Sequence, residues 1–386
     1  MLKSKIAITS LATLSPLGDN AKAVWKEYIS PLTCISSKVY NGHDYFVATI
    51  PEGTRSKIDQ LRKEDLKYKG LDETVLMAIL TAREAIQQAG WHVGDDFGIN
   101  IGSSRGATQL FEKHHQEFLE TGTTATLTSP TTTLGNISSW VAHDLRNQGP
   151  EISHSITCST ALHALLNAVA WLQSGMATKF LVGGSEAPLT AFTLAQMSAL
   201  KIYAKEKQEY PCRAFDLTKT KNTMVLGEAA GMACLEIGEQ PNALGYIIGI
   251  GFATDELEHN ISISEEANCF QKSMQMALQN TPLNEVDAIV MHAPGTIKGD
   301  ASEYKAIQKV FGTNLPMVTT NKWKIGHTFG ASGMLNLELA LQMMEHNSFI
   351  GVPFATAQTP RIQIQKVLIN AVGFGGNAVS ILLAKA

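Results

Sequence analysis

The chain has 386 residues, about twice an average domain, which favours two domains or one large duplicated unit. Hydrophobic residues make up 44% of the sequence and charged residues 17%, a balance typical of a folded protein with a large core and not of a disordered chain. The formal net charge of −4, without a long run of one sign, argues against nucleic-acid binding, which usually requires a basic face.

The N-terminus and the cysteines also restrict the class of protein. Basic residues precede an apolar stretch as in a secretory signal, but Thr9, Ser10 and Thr13 interrupt it and a Pro-Leu-Gly turn follows, so a first β-strand is the favoured interpretation. No stretch approaches the ~18 apolar residues of a membrane span. The five cysteines are odd in number, with no CxxC pair and no Cys/His metal spacing. We expect a cytoplasmic protein with reduced thiols and no structural metal.

Strand-like and helix-like segments alternate along the chain, which predicts an α/β layered architecture. The helical segment at 74–90 is apolar on one face, the segment at 161–174 is apolar on most sides and should be central, and a third runs from 331 to about 346. Short apolar segments bounded by Gly, Asp or Pro predict strands at 6–14, 99–104, 179–185, 229–237, 244–254, 287–293 and 366–374.

Two segments resemble each other and suggest a duplication. The unit HSITCSTALHALLNAV around Cys158 has a weak counterpart in TTNKWKIGHTFGASGMLNLELAL around His327. Each places a reactive side chain at or near the start of an apolar helix. A duplicated α/β fold whose first half ends near residue 240 explains this repetition.

Cys158 lies between the strand-like segment HSIT and the helix predicted from Ala161. A thiol attacks as its thiolate, and the dipole and free N–H groups of a helix N-terminus lower a thiol pKa. The same N–H groups can hold a developing oxyanion. Free cysteines are also common as small, inert core residues, so position alone leaves both interpretations open. The other four cysteines are expected to be inert.

Two of the eleven histidines stand out by their surroundings. His292 stands at the end of the apolar strand DAIVM and opens a turn, and His327 lies among glycines before a helix. Catalytic groups often lie in loops at strand ends. The remaining histidines are expected to be surface, capping or packing residues, as is His163 within the helix after Cys158.

Several motifs occur in order along nearly the whole chain. They include RAFD at 213–216, GEAAGMACLE at 227–236, HAPGTIKGDASE from His292, NKWKIGHTFGASG around His327, and GFGGN at 373–377. Together with the opening strand and the approach to Cys158, they resemble the motifs of the β-ketoacyl-acyl-carrier-protein synthases, the elongating ketosynthases of the thiolase superfamily.

This resemblance implies a fold and an activity. The fold would be α/β of the thiolase type, a duplicated five-layer α-β-α-β-α arrangement. An N-terminal half at 1–240 would carry the nucleophile, and a C-terminal half at 241–386 would carry two catalytic histidines. The activity would be that of a 3-oxoacyl-carrier-protein synthase, an acyltransferase that joins an acyl thioester to malonyl-carrier protein by decarboxylative Claisen condensation.

The resemblance also assigns roles to individual residues. Cys158 would accept the acyl group, with the backbone N–H groups of Cys158 and Phe374 as oxyanion hole. His292 and His327 would donate hydrogen bonds to the malonyl thioester carbonyl and stabilise the enolate. An ion pair would organise the site, and Phe374 would act as a gate between the nucleophile and the malonyl side. This ion pair would be formed by Lys322 and Glu303.

At the substrate-contacting positions, this sequence departs from the family pattern. Ala293-Pro294 replaces the usual Gly-Thr, so Thr296 alone remains of two hydroxyls expected to hold the pantetheine arm. The turn after RAFD lacks the usual Arg-Asp-Gly, and the closing motif lacks the threonine before Asn377, itself a predicted substrate contact. Arg105 stands where the family usually has an apolar acyl-pocket residue, and it would either meet a polar, conjugated or aryl chain or turn away into a dimer contact. These departures favour a specialised polyene or polyketide-like pathway over housekeeping fatty-acid elongation.

The implied partner is an acyl carrier protein, whose acidic surface requires a local basic patch. The segment LRKEDLKYKG resembles the docking helix of the family through Arg62, Lys63, Lys67 and Lys69. Because acidic residues are interspersed, a solvated charged helix is the alternative. A homodimer, or a heterodimer with a ketosynthase-like subunit, is expected. No cofactor is implied, since the phosphopantetheine arm arrives on the carrier.

Three other functions compete with this prediction. A ketosynthase-like chain-length-factor subunit would shape chain length without catalysis, but such subunits usually lose the nucleophile that Cys158 supplies. Thiolases and acyl-CoA-priming synthases use Cys-His-Cys or Cys-His-Asn sets instead of Cys-His-His. A cysteine hydrolase would need an orienting Asn or Asp and a path for water, and nothing in the sequence singles these out.

Overall fold

The computed structural model describes residues 2–134, 136–256, 264–279, 281–354 and 363–386. Within these ranges the strands are β1 (Ile6–Leu14), β2 (Ser36–Tyr40), β3 (His43–Ala48), β4 (Gly98–Gly102), β5 (Glu151–Ile152), β6 (Lys179–Glu186), β7 (Leu226–Gly227), β8 (Ala229–Ile237), β9 (Gly245–Thr254), β10 (Ala288–Val290), β11 (Met317–Thr319), β12 (Lys366–Val372) and β13 (Asn377–Lys385). The helices are α1 (Ala21–Ile29), α2 (Glu52–Glu64), α3 (Glu73–Ala89), α4 (Thr108–Thr121), α5 (Thr128–Thr132), α6 (Asn136–Leu145), α7 (Thr160–Ser174), α8 (Ala191–Ala199), α9 (Asn268–Leu278), α10 (Ile297–Phe311), α11 (Lys322–Ile325) and α12 (Ser332–His346).

Ten of these strands form one mixed sheet in the order β11-β10-β12-β13-β9-β1-β8-β6-β4-β5. Its middle is antiparallel, with β1 between β8 and β9. Parallel pairs flank the middle, where β4 lies beside β5 and β6, and β10 lies beside β11 and β12. The strands β2, β3 and β7 form a separate small sheet. Because β1 joins β8 to β9, the sheet crosses the predicted boundary at residue 240, and the division into 1–240 and 241–386 stays a prediction.

The helices cover this sheet in three layers. Helix α3 packs on β1, β6 and β8, and α6 packs beside it on β4 and β5. On the other half of the sheet, α9 packs on β9 and β13, and α10 packs on α9. Between the two halves, α7 contacts β4 and β6, and α12 contacts α7, β8 and β12. The layers therefore follow the α-β-α-β-α order predicted from the sequence.

The predicted helices form where the sequence placed them. Helix α3 begins after Asp72, whose side chain accepts the Thr74 N–H at 2.9 Å, and ends at Gly90 in the left-handed conformation. These are ordinary start and stop signals, and the apolar face between them is buried. Helices α7 and α12 match the segments predicted at 161–174 and from 331 to about 346. No helix in the described ranges is long and apolar enough to cross a bilayer.

The central helices α7 and α12 approach closely at Gly333. A Cβ at this position would lie 2.7 Å from Leu162 Cγ and 3.0 Å from the Leu162 backbone nitrogen, so any larger residue would force the helices apart. Gly333 is the second residue of α12 and Leu162 the third of α7. The N-terminal ends of the two helices therefore meet inside the protein, next to the segments that carry Cys158 and His327.

Candidate active site

A cavity of about 230 Å³ lies beside the N-terminal ends of α7 and α12. Cys158, His292 and His327 line it, together with Thr296 and Phe374. Most of the remaining wall is apolar and includes Met197, Leu200, Ile202, Met224, Phe270, Phe329 and Val372. The structure thus brings five residues predicted from separate parts of the sequence to one apolar cavity.

Cys158 lies in a tight 3-10 turn, Thr157–Ser159, directly before α7. The strand predicted for HSIT is wrong, because β5 ends at Ile152 and the following residues have no regular structure. Thr157 has a φ of 47°, a left-handed conformation that is uncommon for a β-branched residue. The Thr160 hydroxyl holds the turn by accepting the Ile156 N–H at 2.9 Å and donating to the Thr157 carbonyl at 2.6 Å.

The loop that carries Phe374 packs against this turn. A Cβ at Gly373 would overlap the Thr157 hydroxyl oxygen and lie 2.6 Å from the Ile156 carbonyl oxygen. Only glycine allows this approach. Phe374 itself is 39% exposed and lines the cavity beside Cys158. An oxyanion hole formed by the two backbone N–H groups requires this proximity, and it stays a prediction until an acyl group is bound.

The electrostatic state of Cys158 differs from the sequence expectation. Burial raises the pKa of Cys158 to about 12, and the Glu186 carboxylate adds to this rise. Lys322 and the Cys158 backbone N–H act in the opposite direction. The net shift is therefore upward, whereas the position before a helix predicted a lowered thiol pKa. The upward shift favours the protonated thiol of Cys158 at neutral pH.

The imidazole rings of His292 and His327 lie next to each other and are uncharged. Their ring centroids are 5.2 Å apart and the ring planes are nearly perpendicular, at 86°. Burial, followed by the charge of Lys322, lowers the pKa of both His292 and His327 well below the ordinary value. Each ring is therefore uncharged at neutral pH and carries one N–H and one lone pair.

The protein holds the two histidines in different ways. The backbone N–H of His327 donates to the Val225 carbonyl at 2.6 Å, and the ring Nδ1 of His327 lies 3.0 Å from the Ser332 hydroxyl oxygen. The backbone N–H of His292 donates to the Glu303 carboxylate at 2.9 Å. The ring Nδ1 of His292 is buried without a hydrogen-bond partner in the described part of the chain. Since Nδ1 of His327 is bonded to Ser332 and Nδ1 of His292 is buried, Nε2 is in each case the nitrogen available to a ligand.

The predicted ion pair between Lys322 and Glu303 is not formed. Glu303 instead accepts the N–H groups of His292 and Ala293, at 2.9 and 2.8 Å, and an amide N–H of Asn370 at 3.3 Å. Lys322 Nζ has no hydrogen-bond partner among the described residues. Burial lowers the pKa of Lys322 to about 8 and raises that of Glu303 to about 7. Glu303 therefore anchors the turn at His292, while Lys322 acts on the site through its charge.

Two of the three predicted substrate contacts lie off the cavity wall. Thr296 lines the cavity, and its hydroxyl also caps α10 by accepting the Gly299 N–H at 3.1 Å. The Arg105 guanidinium turns to the Gln196 side chain on α8. The Asn377 side chain accepts the Thr254 hydroxyl at 3.0 Å. Neither Arg105 nor Asn377 is part of the cavity wall, so neither is positioned for substrate contact in this conformation.

The predicted docking patch lies away from the cavity, on α2 and the turn that follows it. Arg62 donates to the Leu71 carbonyl at 2.8 Å and so serves the local fold. Lys67 lies 3.8 Å from Asp65. Lys63 and Lys69 make no ion pair in the described chain. None of the four basic residues lines the cavity, whose mouth is instead marked by Lys298.

Sequence reasoning missed three residues near the site, which are Ser332, Glu186 and Lys298. Ser332 contacts His327, and Lys298 lines the cavity two residues after Thr296. Glu186 ends β6, bonds to the Ser103 hydroxyl and accepts the N–H groups of Arg105 at 3.1 Å and Gly330 at 3.4 Å. The sequence did offer a signal for Glu186, because it is an acidic residue at the end of a buried strand. Burial raises the pKa of Glu186 to about 7.

The arrangement suits covalent acyl transfer followed by stabilisation of an anion. A buried thiol can take an acyl group from a thioester, and two neutral imidazoles can donate hydrogen bonds to the same oxygen. Apolar walls of this kind suit a reaction from which water has to be kept away. The described residues contain no group of three or more His, Cys, Asp or Glu side chains that could hold a metal ion.

Comparison with protein families and curated proteins gives consistent matches. Residues 3–240 match the family described as "Beta-ketoacyl synthase, N-terminal domain", and residues 244–352 match "Beta-ketoacyl synthase, C-terminal domain". The chain is 26% identical over 416 residues to 3-oxoacyl-[acyl-carrier-protein] synthase 2 of Staphylococcus aureus (strain N315), covering 99% of this chain and 98% of that protein. It is 29% identical over 351 residues to Nodulation protein E of Rhizobium sp. (strain N33), covering 86% and 84%.

Solved structures share the fold. "The ishigamide ketosynthase/chain length factor" aligns with a TM-score of 0.84 at 17% identity and covers 99% of each chain. A beta-ketoacyl synthase from Burkholderia phymatum STM815 aligns with a TM-score of 0.84 at 20% identity, over 99% of this chain and 100% of that one. A type II ketosynthase, AntDE in complex with its acyl-carrier protein AntF, aligns with a TM-score of 0.85 at 19% identity, with the same coverage. The predicted thiolase-type fold is confirmed.

Proposed function

Because this chain belongs to the beta-ketoacyl synthase family, we propose that it joins an acyl thioester to malonyl-carrier protein by decarboxylative Claisen condensation. The observation that carries the proposal is the meeting of Cys158, His292 and His327 at one apolar cavity. These residues come from both halves of the sequence and are brought together only by the fold. A chain that had lost this chemistry would have no need to keep all three at the cavity wall.

In the first half-reaction, Cys158 Sγ attacks the carbonyl carbon of the acyl-carrier thioester. The new C–S bond forms as the bond to the pantetheine sulfur breaks, and the thiol proton leaves with the departing pantetheine thiol. Because burial raises the pKa of Cys158 to about 12, this proton must transfer during the attack and not before it. The nearby cation of Lys322 stabilises the negative charge that develops on sulfur.

In the second half-reaction, the malonyl thioester enters and loses carbon dioxide. The electron pair of the broken C–C bond moves onto the thioester oxygen as an enolate, which Nε2–H groups of His292 and His327 hold. Directed donors of this kind contribute ~3–4 kcal/mol each to transition-state stabilisation. The enolate carbon then attacks the acyl-enzyme carbonyl and the C–Sγ bond breaks. The Cys158 thiolate takes up a proton from solvent, because its own proton left with the first pantetheine thiol. The product is a β-ketoacyl chain on the carrier.

The pathway is proposed to be a specialised type II route to polyene or polyketide-like chains and not housekeeping elongation. Pro294 lines the cavity where the family pattern supplies a hydroxyl to the pantetheine arm, and the preceding Ala293 has a φ of 29°. The opening of the site toward the arm is therefore built differently. Solved structures with the same fold include a type II polyketide ketosynthase and a ketosynthase with its chain length factor.

A second ketosynthase-type subunit, either a copy of this chain or a sister, is the proposed partner. Helix α4 buries only Thr108 within this chain, and its Phe111 and Leu119 are 61% and 65% exposed. The strand β5 forms one edge of the large sheet. An exposed apolar helix and an open sheet edge are features that a subunit contact covers.

The deciding experiment is intact-protein mass spectrometry of the wild type and Cys158→Ala after mixing with a panel of acyl-carrier thioesters. We expect the mass of one acyl group on the wild type and none on Cys158→Ala. Cys234→Ala is the matched control, because Cys234 is buried in β8 away from the cavity, and this variant should still be acylated. Native mass spectrometry of the same samples counts the subunits.

Each outcome separates the competing functions. No adduct on the wild type with any donor would reject the condensing activity and favour the chain-length-factor function. A clear preference for plain saturated chains would reject the specialised pathway while leaving the condensing activity intact. When malonyl-carrier protein is added to the acylated wild type, we expect release of carbon dioxide and formation of a β-ketoacyl-carrier protein.

A further inference from the structure

The hydroxyl of Ser332 contacts the His327 ring from behind the cavity wall, and Ser332 itself does not line the cavity. Ser332 is the first residue of α12, and its Oγ lies 3.0 Å from His327 Nδ1 and 3.2 Å from Thr328 Oγ1. All three residues are buried, with exposed fractions of 2% or less. Within the described part of the chain, these are the contacts of the Ser332 hydroxyl, and Ser332 is the contact of the Thr328 hydroxyl.

The direction of these hydrogen bonds follows from counting donors. If Thr328 donates to Ser332 and Ser332 donates to His327 Nδ1, every hydroxyl hydrogen has an acceptor. In the reverse direction, Nδ1–H would donate to Ser332 and Ser332 to Thr328, and the buried Thr328 hydroxyl would have no acceptor. An unsatisfied buried donor destabilises the folded state, so the first direction is favoured.

The surrounding charges favour the same direction. Nδ1 of His327 lies at the N-terminal end of α12, where the helix dipole is positive and favours a lone pair over an N–H. Lys322 and burial lower the pKa of His327, so the ring does not take a second proton at neutral pH. A neutral imidazole with an accepting Nδ1 carries its proton on Nε2, the nitrogen that faces the cavity.

We propose that Ser332 is a positioning residue that sets the tautomer of His327 by donating to Nδ1, so that Nε2–H is available to the malonyl thioester carbonyl. The inference rests on the proposed function for its kinetic consequence but not for the tautomer itself. His292 has no comparable restraint, because its Nδ1 is buried without a hydrogen-bond partner in the described chain. Loss of the Ser332 hydroxyl should therefore weaken one of two donors and not abolish the reaction.

The test is Ser332→Ala in protein labelled with nitrogen-15 at histidine, where ring shifts distinguish protonated from unprotonated nitrogens. The signals of His327 are assigned by their loss in His327→Asn. We expect the wild type to show His327 with an unprotonated Nδ1 and a protonated Nε2, and Ser332→Ala to show a mixture of both tautomers. Decarboxylation of malonyl-carrier protein should slow roughly fivefold in kcat, the equivalent of one neutral hydrogen bond. The KM for the carrier should stay within about twofold, because Ser332 does not line the cavity.

Ser10→Ala is the matched control. Ser10 is a buried serine of β1 that donates to the Ala85 carbonyl at 2.7 Å, away from the cavity, so its loss costs stability without changing the His327 signals or decarboxylation. A wild-type His327 protonated at Nδ1, or an unchanged tautomer and unchanged kcat in Ser332→Ala, would overturn the inference. A wild type without condensing activity would reject the proposed function, and the labelled spectra would still decide the role of Ser332.

Discussion

Lys322 is a buried charge without a compensating contact. Its side chain is 1% exposed, and its Nζ has no hydrogen-bond partner in the described part of the chain. A neighbouring lysine offers a comparison, since Lys324 Nζ donates to the carbonyls of Glu27, Ser30 and Leu32 at 2.6 to 2.7 Å. Because an unsatisfied buried cation destabilises the folded state, Lys322 is retained at a cost that its effect on the site explains.

We expect Lys322→Met to raise the free energy of unfolding by about 1–3 kcal/mol at neutral pH, because methionine fills a similar volume without a charge. The folded-state pKa of Lys322, about 8, lies below the ordinary value near about 10.4, so the unfolded chain binds more protons between these values. Wild-type stability should therefore rise relative to the variant across this window. Urea unfolding at about pH 7 and about pH 10 measures the difference.

Lys324→Met is the control for this prediction. It removes three hydrogen bonds to carbonyl groups and should destabilise the protein, opposite in sign to Lys322→Met.

The charge of Lys322 lowers the pKa of Cys158, so alkylation of Cys158 by iodoacetamide should also slow in Lys322→Met. A stability difference that did not change with pH, or faster alkylation, would contradict this account of Lys322.

At the scale of single residues, the sequence predicted what local context determines. Cys158 before an apolar helix, His292 after a strand and His327 among glycines were all recognisable, and all three line the cavity. The rise in the Cys158 pKa was not predictable, because the burial that causes it depends on segments far away in the chain. The contact between Ser332 and His327 depends in the same way on the turn at Phe329–Ala331, where Phe329 takes a φ of 42°.

Among the structural elements, the turn Thr157–Ser159 determines where the thiol points. The turn is fixed on one side by the Thr160 hydroxyl and on the other by the loop at Gly373. Its left-handed Thr157 explains why the strand predicted for HSIT is wrong. Ile156 and Thr157 are β-branched residues, which favour strands, but this segment leads into the 3-10 turn before α7. No local signal shows the loop that packs against it.

We expect Gly373→Ala to damage acylation more than folding. The new Cβ would overlap the Thr157 hydroxyl oxygen and lie 2.6 Å from the Ile156 carbonyl, so the turn or the Phe374 loop must move. Overpacking of this kind costs about 1–3 kcal/mol. A displacement of about 1 Å at the reacting group can lower the rate about a hundredfold. Urea unfolding and the rate of acyl adduct formation at Cys158 measure the two effects.

Gly70→Ala serves as the comparison. A Cβ at Gly70 would have no heavy atom within 4 Å, and its backbone does not have a positive φ, so stability and acylation should both be retained. If Gly373→Ala acylated at the wild-type rate, the close approach of the Phe374 loop would not be needed for the nucleophile. The proposed oxyanion hole would then lose its structural support.

At the scale of the whole molecule, the layered fold was predictable and the position of the basic patch was not. Alternating elements indicated a layered α/β fold, the repeated unit indicated a duplication, and the family resemblance implied five layers. The cavity forms where the two central helices meet. The patch on α2 lies outside the cavity, yet the proposed carrier protein is much larger than the cavity and would contact the surface around it. The chain has a net charge of −4, so attraction of an acidic partner depends on local groups of lysines.

Charge reversal of Lys63 and Lys67 to Glu tests whether the patch on α2 binds the carrier. Arg62 is left in place because its bond to the Leu71 carbonyl serves the local fold. We expect KM for acyl-carrier protein to rise roughly three- to tenfold, with a smaller rise at high salt because exposed charges are screened. Carrier-free acyl thioesters of N-acetylcysteamine are the control substrate, and their KM should not change, because neither lysine lines the cavity. An unchanged KM for the carrier would reject the patch and direct the same test to Lys298 at the cavity mouth, whereas an equal rise for both substrates would indicate damage to the fold.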